Sequence, residues 1–191
     1  MPAPKTKQPA AQNAKVMPLS GTRAEAQASA GHDHTTCLQA SIERAEKAFE
    51  TRGLRLTDLR RLVLEEIANS HKAIGAYDLL ERLQRKTGKR MAPISVYRAL
   101  DALLELELVH RIESRNAFVA CHTAHKSPDG SAPRHLFLVC ESCDLVTEID
   151  GTAVVNSANA TARNVGFQPA RTVIETTGRC AECATRPANQ R

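Results

Sequence analysis

Two Cys-x-x-Cys pairs, Cys140 with Cys143 in VCESCDL and Cys180 with Cys183 in GRCAECA, place four thiols in two short loops. Each pair can turn both sulfurs toward one ion, and four sulfurs at tetrahedral angles suit Zn2+ with no position left open for chemistry. Such a site is structural. The 36 residues between Cys143 and Cys180 exceed the interval of a compact zinc ribbon, which predicts a strand, a helix and a strand whose ends the metal clips together. The competing chemistry for the same residues is a pair of thiol redox switches.

A second set of donors lies upstream and between the pairs. His110 and Cys121 fall on two short strands, and His135 and Glu148 fall on the strands around the first Cys pair. Two imidazoles, one thiolate and one carboxylate form a candidate second tetrahedral zinc site, joining the units on which they lie. His122, His125 and the group His32, His34 and Cys37 are alternative donors. A zinc hydrolase needs an open metal position with a general base beside it, and no H-E-x-x-H stretch is present. Neither an enzyme nor a small-molecule substrate is expected.

The elements that must carry these donors follow from pattern and charge. The chain has 191 residues, 42% of them hydrophobic, enough for one or two small cores. No apolar run approaches the roughly 18 residues of a membrane span, and no secretory apolar segment opens the chain. A cytoplasmic protein with reduced cysteines is therefore expected. The formal net charge is +5, unevenly spread. Residues 53 to 98 hold ten Lys or Arg against five Asp or Glu, and residues 99 to 150 hold four against nine. The basic stretch is a candidate nucleic-acid face.

Residues 1–36 are rich in Ala, Pro, Gln, Ser and Thr with no apolar period, and read as a flexible tail. SIERAEKAFETRG predicts a helix closed by Gly53, and Thr57 caps a second helix with Leu59, Leu62, Val63 and Ile67 on one face. AYDLLERLQRKTG predicts another, ending at Gly88. PISVYRALDALLELEL, with Pro93 in its first turn, predicts one more whose buried face holds Val96, Leu100, Leu103 and Leu104. That face turns Ser95 and Arg98 outward. LVHRIE and AFVAC predict a hairpin turned at Ser114, Arg115 and Asn116.

Helices followed by a hairpin spell a winged helix-turn-helix. Its last helix enters the major groove by its N-terminal residues, and Arg115 on the wing is placed to reach phosphate. Downstream, HLFLVC, LVTEID and RTVIETTG predict three strands, with one helix in TAVVNSANATARNVG. Three strands make a thin core, so this unit is expected to pair with a second copy. The fold class is α+β: a winged helix-turn-helix domain, then a small α/β dimerisation domain with a structural zinc site. The expected bounds are tail 1–36, winged helix 37–121, hinge 122–134, dimerisation and metal domain 135–184 and C-terminal tail 185–191.

The order YDLLERL, SVYRALDALLELELVHRIES, HLFLVCESC with Glu148, and GFQPARTVIETTGRCAEC resembles the ferric uptake regulator superfamily, specifically its zinc uptake regulator branch, over about residues 38 to 184. The resemblance implies a homodimeric, zinc-responsive repressor on palindromic operator DNA of zinc-uptake genes, with about two Zn2+ per chain. It assigns Cys140, Cys143, Cys180 and Cys183 to structural zinc, and His110, Cys121, His135 and Glu148 to regulatory zinc. It assigns Tyr77 and Arg98 to operator bases, and the whole expected DNA-contacting set is Tyr77, Ser95, Tyr97, Arg98 and Arg115. Three departures stand out. The usual His-rich run is reduced to His135, Arg171-Thr172 replaces a frequent histidine, and Glu107 stands where relatives often have a helix-ending glycine. Few histidines and one thiolate favour zinc over iron or manganese. The alternatives are an iron, manganese or peroxide regulator of the same superfamily and, from another class, a zinc-dependent redox chaperone.

Overall fold

A computed structural model describes residues 34–121 and 134–185, with side chains from residue 38 onward. The first unit holds α1 (His34–Thr51), α2 (Asp58–Ala68), β1 (Ile74–Gly75), α3 (Ala76–Thr87), α4 (Pro93–Glu105), β2 (Val109–Ile112) and β3 (Ala117–Ala120). The second holds β4 (His135–Cys140), β5 (Val146–Asp150), α5 (Thr152–Asn164), β6 (Ile174–Gly178) and α6 (Ala181–Thr185). No helix among the described residues is long and apolar enough to cross a membrane.

Local signals account for most helix ends. Thr57 caps α2 by accepting the N–H of Arg60, which satisfies one of the orphan donors of the first turn. Gly88 ends α3 in the left-handed region at φ 67°, a conformation that carries no Cβ penalty in glycine. Pro93 starts α4 at a position where its missing N–H removes no helical bond. Val63, Leu64, Ile67, Leu79, Leu83, Val96, Leu100 and Leu103 then meet in one buried core.

The structure departs from the expected pattern in three places. α1 begins at His34, so the stretch expected to be tail through residue 36 already contributes its first turn. α4 stops at Glu105 rather than continuing through LEL. There Glu107 itself takes the left-handed conformation, φ 54°, while the N–H groups of Glu107 and Leu108 bond the carbonyls of Leu104 and Leu103, each at 3.0 Å. This is a Schellman closure with Leu103 and Leu108 both in the core. A third strand, β1, was not foreseen; its two residues pair antiparallel with Phe118 and Ala117.

The wing sheet runs β1-β3-β2, and the second sheet runs β5-β4-β6 with β5 antiparallel and β6 parallel to β4. The two sheets touch through a small core of Ile112 and Val119 from the wing with Phe137, Val139 and Val146. Burying a side chain such as Phe137 contributes about 2–3 kcal/mol. Backbone bonds add to this junction: Ala73 N–H to the Asp144 carbonyl at 3.2 Å and Val146 N–H to the His71 carbonyl at 2.9 Å.

Candidate functional site

The four cysteines converge at one end of the second sheet. Cys140 closes β4, Asp144 turns the first knuckle in the left-handed region at φ 59°, and β6 delivers Cys180 beside it, with Cys183 on α6. The Cys180 N–H donates to Cys140 Sγ at 3.3 Å, and the Sγ atoms of Cys143 and Cys180 lie 3.8 Å apart. All four sulfurs lie within 4.8 Å of one another. Zinc–sulfur bonds of about 2.3 Å at tetrahedral angles put sulfurs roughly 3.8 Å apart, so the separation already suits the ion.

The thiols differ electrostatically. Burial pushes Cys140 upward, but N–H groups of Cys180, Ser142 and Cys143 outweigh it and bring the thiol down to about 6. Burial holds Cys143 up, and hydrogen bonds with Cys180 and Cys143 push Cys183 up to about 12. Sulfurs packed this closely release their later protons reluctantly, and a divalent cation at their centre relieves the repulsion.

The second donor set assembles between the units. His110 on β2, Cys121 just after β3 and Glu148 on β5 bring donor atoms within 4.8 Å of one another. His110 Nε2 is 3.3 Å from Glu148 Oε1, and Cys121 Sγ is 3.8 Å from the same oxygen. The His110 Nε2 is buried and faces the Glu148 carboxylate across that gap, beside the Cys121 sulfur. His135 lies outside that three-residue set, but its Nδ1 is 2.5 Å from Glu148 Oε1 and its ring sits 4.5 Å from that of His110. Burial pushes the Glu148 carboxyl up, yet hydrogen bonds and charge from His110 and His135 hold it well below the usual carboxylate range. A cleft of about 760 Å3, lined by His110, His135, Glu107, Arg134 and Arg171 among others, opens beside the cluster. His32, His122 and His125 lie outside the described residues, while His34 and Cys37 fall on the first turn of α1.

The candidate DNA contacts group around the starts of α3 and α4. Tyr77 is 73% exposed, Tyr97 and Arg98 are exposed, and Ser95 is half-buried. Arg115 stands at the turn of the wing, with its Nη1 3.6 Å from Asp144 Oδ1 of the first cysteine knuckle. Sequence reasoning missed Ile94, 58% exposed beside Ser95; an aliphatic side chain off the buried period was the available signal. It also missed Arg44, whose Nη2 donates to the Cys121 carbonyl at 2.6 Å and steadies that residue. No local pattern marks a pairing 77 residues apart.

The sequence profile of the Ferric uptake regulator family matches residues 51–177. The zinc uptake regulation protein of Escherichia coli (strain K12) is 38% identical over 148 residues, which is 78% of this chain and 84% of that protein. A solved zinc uptake regulator complexed with zinc and DNA superimposes with a TM-score of 0.68 at 34% identity, covering 81% of this chain and 97% of that one. Holo XcZur gives 0.66 at 38% identity, covering 81% and 100%. With the family profile matching residues 51–177 and 38% identity to a zinc uptake regulation protein over most of both chains, the chain belongs to the ferric uptake regulator family.

Proposed function

We propose that this chain is a zinc-responsive transcriptional repressor, binding palindromic operator DNA of zinc-uptake genes as a homodimer when zinc-loaded. The observation that carries the reading is the meeting of His110 and Cys121 from the wing with Glu148 from the second sheet, three metal-ligand types with their donor atoms within 4.8 Å of one another. One thiolate among imidazole and carboxylate suits zinc better than iron or manganese.

Cys140, Cys143, Cys180 and Cys183 would hold one zinc. His110, Cys121 and Glu148, with His135 as the fourth donor, would hold a second, making about two per chain. Bound there, zinc supplies the charge that lets buried imidazole, thiolate and carboxylate sit together. The residues do the rest. His110 and Cys121 belong to the hairpin packed behind α4, so drawing them toward Glu148 sets the angle between the recognition helix and the dimerisation unit. In a dimer that angle sets the spacing of two recognition helices over successive major-groove faces. Couplings of this kind are about 1–3 kcal/mol per site.

In this reading the unit ending at Cys121 binds DNA, and the unit from His135 through the CAEC pair dimerises through a surface including exposed Val165, Phe167 and Val173. Tyr77, Ser95, Tyr97 and Arg98 face base edges, Ile94 offers an apolar surface to a thymine methyl, and Arg115 serves phosphate. With four donors each, both sets would leave no open metal position, which favours a regulator over a metal-dependent enzyme; the reading places it in the cytoplasm.

Fluorescence anisotropy of a labelled operator tests this, with free zinc buffered from strongly chelated to saturating. Operator affinity should rise with zinc while affinity for random DNA changes little. A rise with iron(II) or manganese(II) but none with zinc overturns the reading.

A further inference from the structure

The register of the second sheet lines up three side chains on one face. Phe137 on β4 pairs with Glu148 on β5 and with Glu175 on β6, and directly opposed residues project from the same side of a sheet. All three meet the wing. Glu148 reaches His110 and Cys121 at its base, and Phe137 packs with Ile112 and Val119 along its length. Glu175 reaches the tip, where its Oε1 accepts the N–H of Glu113 at 2.6 Å and its Oε2 accepts the N–H of Ser114 at 3.0 Å. Arg171 adds a contact to Glu113 at 3.7 Å.

We propose that Glu175 is a positioning residue of the zinc switch, holding the wing in the one orientation that the sensor donors alone leave free to pivot. The proposal rests on the zinc-dependent DNA-binding reading above. Donors gathered at one end of a hairpin constrain a point, and an angle needs a second attachment. From His110 to Glu113 the strand rises about 10 Å, so Glu175 acts at the far end of a lever whose near end is the metal cluster. Its carboxylate takes two adjacent N–H groups in charge-assisted bonds, a geometry that only one wing orientation satisfies. The wing passes that orientation on. Leu108 and Val109 share a buried core with Leu100 and Leu103 of α4, so an angular error at the tip reaches the recognition helix.

The test uses the full chain with Glu175→Ala and Glu175→Gln. Sensor zinc affinity is read by competition with a chromogenic zinc chelator in the absence of DNA, and operator binding by anisotropy across buffered free zinc. With the latch gone, less of the protein rests in the zinc-competent arrangement. Glu175→Ala should then need roughly tenfold more free zinc for half-maximal operator binding. Glu175→Gln keeps one acceptor oxygen and should fall between the two. Thermal unfolding and the zinc of the four-cysteine site should match the parent, as they would not if Glu175 served only the fold. Parent-like zinc responses in Glu175→Ala overturn the proposal, as does a loss of response accompanied by early unfolding and loss of the four-cysteine zinc. If the parent shows no zinc-dependent operator binding, the repressor reading falls while the chelator competition still decides the latch: an unchanged sensor affinity overturns it, and a tenfold loss supports it.

Discussion

Cys121→Ser should separate the two metal sites, and the structure sets the size of the effect. Serine preserves most of the volume but removes the thiolate that lies 3.8 Å from Glu148 Oε1, so the interdomain cluster loses its softest donor. Losing groups that merely support a metal ligand costs 10–100-fold in affinity. Losing a ligand should therefore weaken the second zinc by at least about 100-fold. The four-cysteine site should not notice. His135 and Cys140 stand at opposite ends of β4, about 17 Å apart at the rise of a strand, and changes that far apart are additive within roughly 0.5 kcal/mol. The expected variant is a dimer that unfolds at the parent's temperature, retains one tightly held zinc per chain and gains no operator affinity as zinc is added. That loss of response is about 5–150-fold per site. The assays are metal content after dialysis, a thermal melt and operator anisotropy across buffered zinc. A Cys121→Ser protein that switches at the parent's free-zinc level would refute the placement of the sensor, and one that loses both zincs would refute the independence of the sites.

Cys180→Ser leaves three sulfurs around a site built for four and should lose most of the metal's contribution to folding; unchanged circular dichroism and dimer mass by light scattering would count against a structural role. Arg98→Ala should cost roughly 1–3 kcal/mol at one operator position, checked by binding to a panel of single base-pair variants, with equal losses on random DNA removing the base-reading role. Arg115→Ala should weaken all sequences alike and lower the salt slope by about 1; because Arg115 also meets Asp144, Asp144→Ala should not reproduce that slope change if phosphate is its working partner. Glu107→Gly should relieve a left-handed non-glycine residue costing about 1–2 kcal/mol, less about 0.4–1 kcal/mol for the more flexible unfolded chain. Its melting temperature should rise by up to roughly 6 °C, and a fall would contradict the strained closure of α4.

What the sequence alone determined is what short-range chemistry encodes. Thr57, Gly88 and Pro93 mark helix ends because caps act within one turn, and the Cys-x-x-Cys spacing marks a candidate four-sulfur metal site because each pair acts as one local loop. His110, Cys121, His135 and Glu148 stood out as candidate donors by residue type and by their places on strands flanking the junction, and the structure gathers His110, Cys121 and Glu148. Only the tertiary structure decided the remainder. Glu148, Phe137 and Glu175 form one row because β5 and β6 both pair with β4 in a particular register, and a one-residue slip would turn each side chain to the opposite face. Arg115 meets Asp144, Arg44 holds the Cys121 carbonyl, and Glu175 caps the wing tip across 61 and 62 residues. The backbone of Glu107 is left-handed because Leu108 must turn into the core after α4. Such pairings arise when two surfaces dock, and the partner of a side chain is then set by how the surfaces align rather than by its neighbours in the chain.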